Sequence, residues 1–308
     1  MLTFSWDLVH IIFFPFVLLR QNPKIVHIAV TGGFVFWEDA IYLIISKFFK
    51  KKILLHYLGS FDIFYDEAGE TEKVLIKSLL KKCDIIAVLS LKVQKLVESI
   101  VLDNPKVILI PSSINFDHFN NNNLLFPKDD KVRILFLGGF DAYKKGIIDV
   151  IKIIPSIVES NPNVIFIIGS SKKLNLNIKQ QYSSNIHFID WIPLENKIPL
   201  LNSCDIFLLP SYDEGLPYSM IEAMAAGLPI ISTYIGGIPE VVKPNNNGFL
   251  FIPGDIVKMK EYILQLVNDR ELRIKFGKLN RELIKENYSL SKNMKIINDI
   301  YNNLRNYL

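Results

Sequence analysis

Residues 205–234 read DIFLLPSYDEGLPYSMIEAMAAGLPIISTY, and this stretch decides the fold. Its opening run, DIFLLPS, is apolar without alternation, the mark of a parallel strand covered by helices on both faces. A polar loop follows. Pro217 opens a helix, where its missing N–H costs nothing, and Gly227 closes it. PIISTY (229–234) then starts a second strand. The helix N-terminus projects from the carboxyl end of the first strand, and its free backbone amides suit an anion or sugar hydroxyls.

The same grammar extends in both directions. Apolar, β-branched runs at 24–30, 52–58, 84–90 and 106–112 form one set. Runs at 132–139, 163–170, 185–191, 205–211, 229–234 and 248–253 form another. Amphipathic stretches such as EKVLIKSLLKK (72–82) and KGIIDVIKIIPSIVES (145–160) lie between them. Strand–helix alternation of this kind is α/β architecture. The polar, Pro-containing stretch FNNNNLLFPKDDK (119–131) separates the two sets as a linker would. The expected domains are therefore 1–122 and 123–288, with a terminal helix at 289–308. An internal echo, LLKKCDIIAVLS (79–90) against LLNSCDIFLLPS (200–211), suggests two domains on related plans. In open α/β sheets ligands bind at the carboxyl ends of strands, so a cleft between two such sheets is where chemistry is expected.

Composition bounds the reading. The 308 residues are 50% apolar and 21% charged, which excludes a disordered chain. Lys and Arg number 35 against 31 Asp and Glu, a balance too mild for a nucleic-acid binder. Two cysteines, Cys83 and Cys204, cannot make a disulfide framework, and each begins a buried strand, so a reducing, cytoplasmic setting is expected. The five histidines are scattered and no cluster has metal-ligand spacing. The apolar run 8–19 is shorter than a bilayer span and is interrupted by His10 and Pro15. It reads as a buried or interfacial helix. KFFKKK (47–52) sets four lysines beside two phenylalanines, a candidate for peripheral contact with an anionic membrane on its cytoplasmic face.

Two carboxylates stand out in the opening stretch. Glu214 precedes the helix, where an acid favours the dipole. Glu222 lies one turn inside it among Met220, Ile221, Ala223 and Met224. A helix apolar nearly all round is buried, and a lone buried carboxylate is costly. Glu222 therefore meets a protein partner or accepts hydrogen bonds from ligand hydroxyls.

Glu214 and Glu222 form an E-x7-E pattern within EGLPYSMIEAMAAGLPII, which resembles the donor-sugar motif of retaining glycosyltransferases of family 4, whose fold is GT-B. GGIPEVV (236–242), NNGFLFIPGD (246–255), RILFLGGFDAYKKGIIDVI (133–151), CDIIAVLS (83–90) and KVILIPSSINFDHF (106–119) continue the similarity. The resemblance implies two Rossmann-like domains facing across a cleft. It implies transfer of a sugar, with retained configuration, from a nucleotide-sugar to a glycan or lipid-linked acceptor, without metal. No cofactor is implied, because the nucleotide-sugar is a substrate. Position by position, Glu222 should accept from ribose hydroxyls, and Glu214 should contact the transferred sugar. Gly215, Leu216 and Tyr218 should lie against sugar and phosphate. Lys145 should neutralise the diphosphate, where a fixed cation stabilises the leaving group. Gly138 and Gly139 would let backbone approach the ligand. The terminal helix should return to the amino-terminal domain.

The chain departs from the family pattern in four places. Gly139 stands where an arginine usually pairs with the lysine, so either one cation is missing or another residue such as Lys144 substitutes. Ser112 and Ser113 replace an Asn-Gly. Leu58 stands in the usual histidine position before Gly59, with His56 two residues earlier as the candidate acceptor-side group. By comparison with the family a shortened amino-terminal domain is expected, without a first strand and Gly-rich loop, unless the true start lies upstream. Two other readings stand beside this one: a donor-binding scaffold without transfer, which the shortened domain favours, or a nucleotide-sugar epimerase of similar architecture.

Overall fold

The computed structural model describes residues 2–102, 104–121, 123–171, 180–190 and 192–306. Asn122, where the expected first domain ends, lies outside them. So do Trp191, at the end of an expected strand, and Met1, Tyr307 and Leu308 at the chain ends. Each of the ten apolar runs becomes a strand.

The chain packs as two compact units. One takes residues up to Pro111 together with those from Asn293 on; the other is Ser112–Lys292. The division thus falls ahead of the polar stretch at 119–131. Residues past Ser112 are fastened to the second unit. Ser112 Oγ donates to Leu216 O (2.6 Å), Ile114 N to Tyr288 O (3.0 Å), and Arg281 to Phe119 O (2.8 Å).

The first unit holds α1 (Leu2–Gln21), β1 (Ile25–Val30), α2 (Phe34–Phe48) and β2 (Lys52–Tyr57). α3 (Phe61–Glu67), α4 (Glu70–Leu80), β3 (Ile85–Val88), α5 (Leu91–Val101) and β4 (Lys106–Leu109) follow. Its sheet is parallel throughout, in the order β1-β2-β3-β4. One face is buried by Phe36, Leu43, Ile76, Leu80, Val93 and Val97 from α2, α4 and α5. The other receives Ile300 and Leu304 of the terminal helix, which pack on Leu54, Ala87 and Ile110. Asn293 Nδ2 donates to Pro111 O (2.5 Å) where that helix joins the unit.

The second unit runs β5 (Val132–Gly139), α6 (Ile147–Ser160), β6 (Val164–Ser170), β7 (Ile186–Ile189) and α7 (Leu194–Asn202). It continues through β8 (Ile206–Leu209), α8 (Tyr218–Ala225), β9 (Ile230–Thr233), α9 (Ile238–Val241) and β10 (Gly248–Phe251). α10 (Ile256–Asn268) and α11 (Arg270–Asn287) follow, and α12 (Leu290–Asn306) leads back to the first unit. The six strands are parallel in the order β10-β9-β8-β5-β6-β7. α6 presents Ile147, Val150, Ile153, Ile154 and Ile157 to the core, all buried, at the spacing of one helical face. The chain builds outward from β5 through β6 and β7, then returns to add β8 on the opposite side. The order therefore reverses between β5 and β8, and at such a point the loops diverge and leave a crevice.

Candidate functional site

Two loops flank that crevice, one after β5 and one after β8. Close backbone packing joins them. Gly146 has φ +84°, and a Cβ there would lie 2.2 Å from Pro210 O, so only glycine lets the Lys144-Lys145-Gly146 turn rest on the end of β8. Tyr212 N donates to Lys144 O (2.8 Å), and Tyr212 Oη donates to Asp149 (2.6 Å), which pushes the phenol up to about 12. Below the loop, Thr233 Oγ1 donates to Ser211 O (2.6 Å) and Ser232 Oγ to Leu209 O (2.7 Å).

This framework delivers Lys145 to Glu214. Nζ lies 2.9 Å from Glu214 Oε1, and the buried Ser211 donates its hydroxyl to the same oxygen at 2.9 Å. The Glu214 side chain is only 10% exposed, so its charge depends on these two partners. A third turn fixes the backbone. Gly236 has φ +51°, a Cβ there would lie 1.9 Å from Glu214 O, and Gly237 N donates to Gly215 O (2.6 Å). Leu216 is buried and its carbonyl accepts from Ser112, while Tyr218 is exposed at the start of α8. Among the described residues Lys144 reaches Asp213, at 3.6 Å and largely in solvent.

Glu222 has a protein partner within ion-pair distance, though among the described residues its Oε2 is buried without a hydrogen bond. Lys197 Nζ, on α7, lies 2.7 Å from Oε2, with both side chains mostly buried. The pair lines a cavity of about 690 Å³ that also takes in Asn115, His118, Leu194 and Tyr218. Near β5, Gly138 is explained by its own loop, since a Cβ would meet Ala142 Cβ at 2.5 Å. Gly139, at φ +55°, has nothing within 4 Å of its Cβ position and leaves open space there.

The structure thus brings Lys145, Glu214 and Gly215 together and sets Glu222 one turn into α8. His56 and Gly59 belong to the first unit and point to different places. Gly59 follows β2, and a Cβ on it would lie 3.3 Å from Gly32 N in the loop after β1. His56 faces the interior under α12, stacked on His27 at 5.6 Å, while His27 Nδ1 and Tyr301 Oη share a hydrogen bond of 2.8 Å. Burial first, and His27 second, pull the His56 imidazole down to about 4 against a hydrogen bond with the Ile110 backbone. Lys197, and Ser211 as the second partner of Glu214, were not foreseen. Ser211 was visible as the serine ending a strand; Lys197, in LENKIPLLN, carries no motif.

The family model described as Glycosyl transferases group 1 matches residues 118–283. An uncharacterized glycosyltransferase of Methanocaldococcus jannaschii is 24% identical over 304 residues, 95% of this chain and 72% of that protein. UDP-Gal:alpha-D-GlcNAc-diphosphoundecaprenol alpha-1,3-galactosyltransferase of Escherichia coli is 31% identical over 151 residues, 47% of this chain and 39% of that one. Among solved structures, sucrose-phosphate synthase from Thermosynechococcus elongatus superposes with TM-score 0.80 at 19% identity, covering 97% of this chain and 78% of that one.

Proposed function

The chain belongs to the glycosyl transferases group 1, with the GT-B fold, and from that premise we propose that it moves a sugar from a nucleotide-sugar to a glycan or lipid-linked acceptor, with retention of configuration and without a metal ion. The observation that carries this reading is the Lys145–Glu214 pair, 2.9 Å apart across the reversal of strand order. An ammonium has three donors, and Glu214 uses one. The others are available to a diphosphate, whose oxygen gains charge as its bond to the sugar breaks; a fixed cation there lowers the barrier. Glu214 sits at the sugar hydroxyls. Gly215, Leu216 and Tyr218 line sugar and phosphate, and Gly138 and Gly139 border them. Glu222 accepts from the ribose hydroxyls, with Lys197 yielding or sharing it. On the acceptor side the reading keeps His56 and Gly59, His56 acting through the position of β2. The E. coli relative's name includes a diphosphoundecaprenol, which favours a lipid-linked acceptor and cell-surface polysaccharide synthesis. Cys83 and Cys204, both free and buried, fit a cytoplasmic setting.

The test is a panel of nucleotide-sugars. The true donor at about 100 times its Kd should stabilise the fold by roughly 2.7 kcal/mol. It should also support transfer to lipid-linked sugars that persists in a chelator, with the donor's anomeric configuration in the product. Stabilisation without transfer selects the scaffold reading, and conversion of the donor sugar without acceptor selects the epimerase. If no nucleotide-sugar stabilises the protein, the proposal fails.

A further inference from the structure

The first unit exposes apolar side chains where a helix surface is ordinarily polar. On α1, Ile12, Phe13, Phe16 and Leu19 are between 56% and 64% exposed, and Val9 extends the stripe at helical spacing. α2 packs beside α1, with Phe14 edge-on to Tyr42 at 5.0 Å. It adds Ile41, Ile44 and Phe48, the last 82% exposed. Exposed apolar side chains concentrated on two neighbouring helices mark an interaction surface.

Charge at one end of this face identifies the partner. α1 and α2 end at the same pole of the unit, because Lys51 Nζ donates to Asn22 Oδ1 (2.6 Å) and Lys52 N to Lys24 O (3.1 Å). Arg20, Lys24, Lys50 and Lys51 gather there, and Lys81 and Lys82 join them through the turn leading to Asp84. Asp84 already accepts from Lys47 and Lys52, at 2.7 and 3.1 Å. Those six cations have no carboxylate within ion-pair distance among the described residues. An apolar helix face bordered by uncompensated cations suits shallow insertion among acyl chains, with the cations at anionic headgroups.

We propose that the α1–α2 face and its basic pole dock this protein on an anionic phospholipid surface. Among the described residues no helix is long and apolar enough to cross a membrane, so the contact is peripheral. All the residues involved lie in the first unit, so the proposal is independent of the donor chemistry.

The experiment is co-sedimentation of the whole chain with vesicles of phosphatidylcholine alone or mixed with phosphatidylglycerol, at low and high salt. Binding should need the anionic lipid and weaken with salt. The variant carrying Arg20→Gln, Lys50→Gln and Lys51→Gln should bind about a hundredfold more weakly, at about fivefold per cation. Phe16→Ser with Phe48→Ser keeps every charge and should lose the binding that survives high salt. Circular dichroism checks the folding of both variants, and the comparison of the two lipid compositions needs neither. Failure to bind anionic vesicles at low salt, or equal binding to both compositions, overturns the proposal. So does a lipid-free dimer that the two Phe→Ser changes dissolve, which would make this face a contact between copies.

Discussion

The two sheets are built alike and ordered differently. Both are parallel and helix-covered, and both grow from Val-, Ile- and Leu-rich runs. The first adds each strand beside the last, in the order β1-β2-β3-β4. The second reverses between β5 and β8, so successive loops part there, and Lys145 and Glu214 meet across the gap. In the first sheet the ionisable pair His27 and His56 is stacked beside α12, with His27 bonded to Tyr301. Strand order, more than strand composition, decides which sheet offers a ligand its carboxyl ends.

The sharpest way to break this comparison is to remove one lysine from each unit. Lys145→Ala deletes the cation at the crevice and leaves Glu214, 10% exposed, with Ser211 as its remaining partner described here. Transfer should fall by about 10²–10³, as when one preorganised transition-state donor is lost. Nucleoside diphosphate binding should fall far more than nucleoside binding. Lys47→Ala removes a comparable lysine from Asp84, which keeps Lys52, and should leave both properties unchanged. Equal losses from the two variants in an isothermal titration would mean that the strand reversal does not mark the site.

Acid should separate the units next. His56 titrates at about 4 in the folded protein, below its ordinary 6.5. The unfolded chain therefore binds more protons between those values. Stability from this group is full above about 6.5 and is lost as pH falls towards 4, with a slope of at most about 1.4 kcal/mol per unit. Hydrogen exchange should show β2 and α12 opening first between pH 6.5 and 5, and His56→Phe should flatten the response. Earlier opening of β5 and β8 would place the acid-sensitive element in the wrong unit.

Glu222→Gln tests the second unit again at smaller amplitude. It keeps shape and removes charge, and a charge-assisted hydrogen bond is worth about 1.5–3 kcal/mol. Donor affinity should fall by roughly 10- to 150-fold. Lys197→Ala also breaks the 2.7 Å pair but leaves the carboxylate in place, so it should cost less affinity than Glu222→Gln. The reverse ranking by calorimetry would make Lys197 the ligand-binding member.

What the sequence disclosed follows from how far each signal reaches. Every strand was legible because an apolar run bounded by turn residues is a local pattern. Glu214, Glu222 and Lys145 were singled out through a motif, and the structure sets Lys145 against Glu214. Lys197 was not, because its meaning lies in a contact with Glu222 that crosses a strand and a loop. The surroundings of His56 were not legible for a related reason. Period two gives the face on which a side chain lies, but not that α12, arriving from the far end of the chain, covers that face. The compact units divide at 111/112, ahead of the 122 read from the sequence, where Ser112, Ile114 and Phe119 find partners at Leu216, Tyr288 and Arg281, all distant in sequence.

The smallest expected effect decides between adjacent lysines. Lys144 was the sequence's substitute for a second cation, but its Nζ lies 3.6 Å from Asp213 with 64% of the side chain exposed. An exposed pair of that geometry contributes less than about 1 kcal/mol and is screened by salt. Its backbone matters more, because Lys144 O accepts from Tyr212 N and helps hold the two loops together, and alanine preserves that bond. Lys144→Ala should therefore change diphosphate affinity by no more than about fivefold, with the difference vanishing at high salt. Lys145 differs in being braced: Gly146 presses its turn onto Pro210, and Glu214 and Ser211 fix its direction. A braced cation loses little entropy when it meets a diphosphate, whereas a solvated one must be ordered first. If Lys144→Ala instead removed most of the diphosphate affinity in high salt and Lys145→Ala did not, the roles would exchange. The Lys145–Glu214 pair would then be a structural bridge across the strand reversal, and the ligand would lie towards Asp213.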